Sequence, residues 1–207
     1  MTPDDSLQTR RTDNVGLFYW AIESEVGLGD RVARAMVRLS HLLRHPPLAA
    51  ELRFEALPSV LETSVVAVFT RRNCFAAKAS EITLLLAEYT GRGDALPGLV
   101  VLCPQDHWLR CECLTSNPTA HWGNSLLRLA LVYEENHHEA VIWHEALHLL
   151  GADDCYAVGP LKTVTHRGPT CGVKRCLMQY DAKLAYRPDR IELCDGNTRR
   201  VKAYWAL

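Results

Sequence analysis

Apolar positions fall into short runs separated by stretches of helical period. Val15–Ile22 (VGLFYWAI) is a β-rich apolar run and predicts a strand. Asp30 then opens RVARAMVRLSHLLRH, where Val32, Met36, Leu39 and Leu43 recur at helical spacing until Pro46-Pro47 ends the pattern. Strands are expected at about Leu52–Ala56 and at Val65–Thr70 (VVAVFT), the latter on its β-branched content. Ser80–Tyr89 reads as a helix stopped by Gly91. Leu99–Cys103 (LVVLC) and Leu126–Tyr133 (LLRLALVY) read as buried strands, and a helix follows from about Asn136 to Leu150. Residues 152–190 show little periodicity, and Asp195–Trp205 suits a short closing helix.

The expected order is β-α-β-β-α-β-β-α, then an irregular lobe and a final helix. This is an α/β fold: a mixed, twisted sheet with helices in an N-terminal subdomain, and an irregular C-terminal subdomain ending in a helix. The expected divisions are a flexible polar tail at 1–14, a subdomain at 15–151 and a second at 152–207, with the boundary at Gly151.

Composition adds exclusions. The 207 residues are 48% hydrophobic and 23% charged, which is ordinary for a packed domain. A formal net charge of -1 supplies no global field for nucleic acid or an anionic membrane. MTPDDSLQTRRTDN lacks the apolar core of a signal peptide, and no apolar run has the length of a membrane span. The expectation is a cytoplasmic protein. Eight cysteines is a high count for that setting, where thiols bind metal or lie buried more often than they pair.

The candidate chemistry lies in WHEALHLLGADD, Trp143–Asp154. Asn136 suits an N-cap, with Glu139 as its capping-box partner. At ~100° per residue His144 and His148 lie about 40° apart on one helix face, so both imidazoles can reach one metal. Glu145 sits at the edge of that face, where it can act as a general base without ligating. Gly151 can end the helix in a left-handed conformation and return the chain, bringing Asp154 to the same metal. Two His, one Asp and an open position make a catalytic zinc site. A bare H-E-x-x-H match is common by chance. Here the helix is apolar enough to be buried, and buried imidazoles need partners.

H-E-x-x-H-x-x-G-x-x-D resembles the long zinc signature of the metzincin metallopeptidases, in the snapalysin-like version whose third ligand is Asp. CLMQY (Cys176–Tyr180) is similar to the Met-turn of that clan, with Met178 as its methionine and Tyr180 as the tyrosine that can stabilise the oxyanion. Plain core packing would also account for Met178. The cysteines resemble those of the archaemetzincins, where they hold a second, structural zinc: Cys155 follows the third ligand, Cys176 precedes Met178 by two, and Cys194 matches one member of a later pair. No Cys lies three residues either side of Cys194, where Ile191 and Asn197 stand, and the 155–176 loop is longer than that family's. Cys171 could supply the fourth thiolate. A second zinc, disulfides and free buried thiols all remain open for Cys155, Cys171, Cys176 and Cys194. Cys103, Cys111 and Cys113 have no metal-site spacing. The resemblance covers about residues 136–205.

The resemblance implies a zinc-dependent peptidase that hydrolyses peptide bonds with metal-activated water and Glu145 as general base, acting on a peptide or protein substrate. The alternative is an inactive metzincin-fold metal-binding or interaction module. The substrate would lie along an edge strand from the 107–125 region, and Gly159–Thr170 would form a mobile rim.

Overall fold

The computed structural model describes residues 15–22, 27–49, 52–71, 75–91, 98–103, 122–124, 128–133, 138–158, 164–166, 170–187 and 189–205. Five strands form the main sheet: β1 (Val15–Ala21), β2 (Arg53–Ala56), β3 (Gly98–Cys103), β4 (Trp122–Asn124) and β5 (Leu129–Tyr133). Their order is β2-β1-β3-β5-β4. The first four in that order are parallel, and β4 runs antiparallel to β5 at the edge. The fold is α/β with a mixed sheet. The edge strand expected within 107–125 is β4; the rest of that segment lies outside the described residues.

The strands β3 and β5 are buried along their whole length because helices cover both faces. Alternate side chains separate the two faces. Leu17, Val100, Leu102, Ala130 and Val132 pack against α1 (Leu28–Leu43) and α4 (Glu139–Leu149). Phe18, Leu99, Val101, Leu129 and Leu131 pack against α2 (Ser59–Thr70) and α3 (Phe75–Thr90). The chain after Gly151 adds a two-stranded ribbon, β6 (Ala157–Val158) with β7 (Val164–His166), and two helices, α5 (Ala182–Ala185) and α6 (Asp195–Trp205). Its Cys155, Cys176, Met178, Cys194 and Val201 share the α1/α4 core. Among the described residues no helix is long and apolar enough to cross a membrane.

One expected element is corrected. Val65–Thr70 is the second half of helix α2, not a strand. Its buried residues Leu61, Val65, Val68 and Phe69 repeat at four, three and one residues, the stripe of a helix lying on a sheet. β-branched content favours a strand only weakly, and packing overrides it. Helix α1 also begins two residues before Asp30, at Leu28, after Gly27 with φ +95°. Gly91, φ +65°, stops α3 as expected.

Gly98 lies where β3 packs tightly against the end of α4. A Cβ there would lie 2.8 Å from Leu17 Cδ2, 3.0 Å from Leu149 Cδ1 and 3.3 Å from the Arg128 carbonyl. Both leucines are fully buried, so neither can swing away freely. Gly98→Ala is expected to cost about 1–3 kcal/mol through overpacking, read as a lower urea midpoint with an unchanged slope.

Candidate metal centres

Helix α4 carries the first centre, and both its ends are fixed. Asn136 lies outside the described residues, and the N-cap is His138, whose Nδ1 accepts from the Ala140 N–H at 3.1 Å. Burial and Lys183 lower the His138 pKa, which favours the neutral ring that such an acceptor requires. Glu139 is not a capping-box partner; it accepts from Arg38 Nη1 at 3.0 Å and from the Tyr186 hydroxyl. Trp143 Nε1 donates to the Ala35 carbonyl at 2.9 Å and ties α4 to α1. At the other end Gly151 adopts φ +89°. The Ala152 N–H reaches the Leu147 carbonyl and the Gly151 N–H the His148 carbonyl, each at 3.0 Å, a Schellman stop. The buried Arg128 guanidinium donates to the Leu149 carbonyl, placing a cation at the negative helix end.

These anchors present His144 and His148 with defined tautomers. His144 Nδ1 lies 2.8 Å from the Leu177 carbonyl, and His148 Nδ1 lies 2.9 Å from the Ala152 carbonyl. A carbonyl only accepts, so each Nδ1 carries the hydrogen and each neutral ring has a lone pair on Nε2. The two Nε2 atoms are 3.2 Å apart. Asp154 Oδ1 stands 3.3 Å from His144 Nε2 and 3.2 Å from His148 Nε2. It is buried without a hydrogen bond of good geometry. Three potential ligand atoms thus converge closely enough to meet one metal ion when both rings are neutral. Donors at these separations on three corners of a tetrahedron sit about 2.0 Å from its centre, the length of a Zn–N or Zn–O bond.

Electrostatics favour positive charge on the imidazoles beside Asp154. Burial opposes a charged His148, but Asp154, Glu145 and the Ala152 carbonyl outweigh it and push the imidazole up to about 9. Burial likewise opposes the Asp154 carboxylate, yet the two imidazoles hold its pKa well below the usual range. Glu145 is buried, with Oε1 4.0 Å from His144 Nε2. Both histidines and Glu145 could offer ligand atoms to one ion. Asp154 Oδ1 is nearer to His144 than Glu145 is, and with the two Nε2 atoms it makes the closer triangle.

Sequence reasoning missed Tyr156, two residues past Asp154 on the same loop. Burial raises its pKa, and the neighbouring Asp154 and Glu145 carboxylates add to the effect. Its ring meets that of the exposed Tyr180 edge-on at 5.6 Å. The signal was an aromatic hydroxyl two residues after Asp154.

The second centre gathers Cys155, Cys171, Cys176 and Cys194, whose sulfurs lie within 4.8 Å of one another. All four are free thiols. Cys176 Sγ is 3.5 Å and Cys194 Sγ 3.7 Å from Cys155 Sγ. A disulfide needs about 2.0 Å, whereas tetrahedral Zn–S bonds of about 2.3 Å place sulfurs roughly 3.8 Å apart. Burial raises the Cys176 pKa to about 11 and raises that of Cys155 further, while the Asn197 N–H and neighbouring thiols outweigh burial and lower that of Cys194. The four sulfurs could together hold one metal ion. Met178 is fully buried beside them, its carbonyl accepting from the Cys155 N–H at 2.6 Å. Gly159–Thr170, expected as a rim, lies outside the described residues apart from β7 and Thr170.

No protein-family model matches the chain, and no curated protein is significantly similar to it in sequence.

Proposed function

We propose that this chain is a zinc-dependent peptidase, a divergent relative of the metzincins, with a catalytic zinc on His144, His148 and Asp154 and a structural zinc on Cys155, Cys171, Cys176 and Cys194. The observation that carries the reading is the convergence of two Nε2 lone pairs and an unbonded Asp154 oxygen next to a buried glutamate. A zinc held by His144, His148 and Asp154 would supply Lewis-acid activation of a water and of the substrate carbonyl. Glu145 takes the proton from the attacking water and returns it to the leaving nitrogen. The carbonyls of Leu177 and Ala152 keep both rings in the ligating tautomer and raise their basicity. The Tyr156 and Tyr180 hydroxyls offer donors for the developing oxyanion. An extended peptide would add to the sheet at β4, the edge strand beside α4. Met178 and the segment around it take the place of the Met-turn.

Metal content and proteolysis test this directly. Cleavage of an unfolded protein substrate should stop with a chelator and return with zinc. His148→Ala should lose one metal equivalent and all cleavage, and keep the metal on the cysteines; Asp154→Ala should do the same. Full metal occupancy in either variant, measured by native mass spectrometry, would remove that residue from the ligand set.

A further inference from the structure

Asn197 stands three residues after Cys194, at the position where a Cys-x-x-Cys pair would place a second thiolate. Its side chain is buried, on α6, and faces the loop that carries Asp154. Its Oδ1 accepts from the Asp153 N–H at 2.8 Å, and its Nδ2 donates to the Asp153 carbonyl at 2.8 Å. The same Nδ2 lies 3.3 Å from Cys155 Sγ, and the Asn197 backbone N–H lies 3.5 Å from Cys194 Sγ. One amide therefore grips both backbone groups of the residue before Asp154 and touches the residue after it. A side-chain amide carries an acceptor oxygen and a donor nitrogen with two hydrogens, which is what these contacts use.

The rest of the loop is held as firmly. The Ala152 carbonyl is bonded to His148 Nδ1, the Cys155 N–H to the Met178 carbonyl, and the Cys155 carbonyl to the Thr170 N–H at 2.7 Å. Asp154 Oδ1 faces the Nε2 atoms of His144 and His148, and Asp153 is one of the two fixed residues that flank it. We propose that Asn197 is a positioning residue that couples the cysteine centre to the histidine centre by fixing the backbone from which Asp154 reaches the catalytic metal. This rests on the assignment of Asp154 as a ligand. Arg200 also pairs with Asp153, at 2.8 Å, but through exposed side chains, and such pairs contribute little.

The test is a cobalt(II) titration of the chelator-stripped full chain. Thiolate charge-transfer bands report the cysteine centre, and d–d bands from His and carboxylate ligands report the other. Asn197→Ala should weaken cobalt at the histidine centre about 10–100-fold and alter its d–d bands, with the thiolate bands retained. Arg200→Ala should match the wild type. Asn197→Asp keeps the acceptor for the Asp153 N–H and loses both donors; it should also weaken the histidine centre, and it decides the matter if the alanine variant loses both centres. Histidine-centre affinity unchanged in Asn197→Asp, or in a folded Asn197→Ala, would overturn the inference. If Asp154→Ala also binds like the wild type, the ligand assignment itself has failed; if Asp154→Ala is weakened and the Asn197 variants are not, the assignment stands and the coupling falls.

Discussion

Replacing Glu145 with glutamine is expected to slow peptide hydrolysis about 10²–10⁴-fold, the usual contribution of a positioned general base, while both metals stay bound. The side chain is almost fully buried, so the near-isosteric amide fits the same space. What the change removes is the oxygen that accepts a proton, since an amide is far too weak a base at neutral pH. The Asp154 triangle with His144 and His148 does not include Glu145, whose Oε1 is 4.0 Å from His144 Nε2, against 3.3 Å for Asp154 Oδ1. Metal content should therefore be that of the parent chain. Unaltered cleavage by Glu145→Gln would refute the base assignment. Loss of one metal equivalent in the glutamine variant would make Glu145 a ligand in place of Asp154. If the parent chain binds metal at the histidines yet cleaves nothing, the interaction-module reading gains instead.

The local features of the first centre were legible because helix period, a glycine stop and a four-residue His spacing are properties of contiguous sequence. His144, His148 and Asp154 meet as that spacing predicts, and Gly151 takes the left-handed turn that frees the loop. The buried strands β3 and β5 were legible for the same reason. Helix α2 was not, because Val65–Thr70 is β-branched while its helical burial stripe begins at Leu61, outside that run. His138 as N-cap could not be foreseen, since its capping depends on a ring kept neutral by burial and Lys183. Nor could the grip of Asn197 on Asp153, which joins residues 44 apart in the chain through a side chain with no motif of its own. The cysteines were visible as a count and a partial spacing. Only the tertiary arrangement brings Cys171 to the other three in place of a second thiolate after Cys194.

Cys176→Ser is expected to have the larger effect on stability, and to act on both centres, whereas His148→Ala acts on one. Cys176 lies directly before Leu177, whose carbonyl fixes the His144 ring, and two before Met178, whose carbonyl holds the Cys155 N–H. Cys155 in turn follows Asp154. Under the proposed function, losing a metal from these cysteines would loosen the tautomer-setting partner of His144 and the backbone beside Asp154. Structural zinc contributes about 10–16 kcal/mol of apparent binding energy in small zinc-dependent domains. If only about 5 kcal/mol of this is lost here, Tm should fall by roughly 10–20 °C for a chain of this size. Native mass spectrometry should then find Cys176→Ser with the cysteine-centre metal gone and the histidine-centre metal weakened, while His148→Ala keeps the cysteine-centre metal and most of the parent Tm. Equal and independent losses in the two variants would mean that the centres are separate sites. An unchanged Tm and metal count in Cys176→Ser would return the four cysteines to being buried thiols, and the 3.5 and 3.7 Å sulfur separations to core packing.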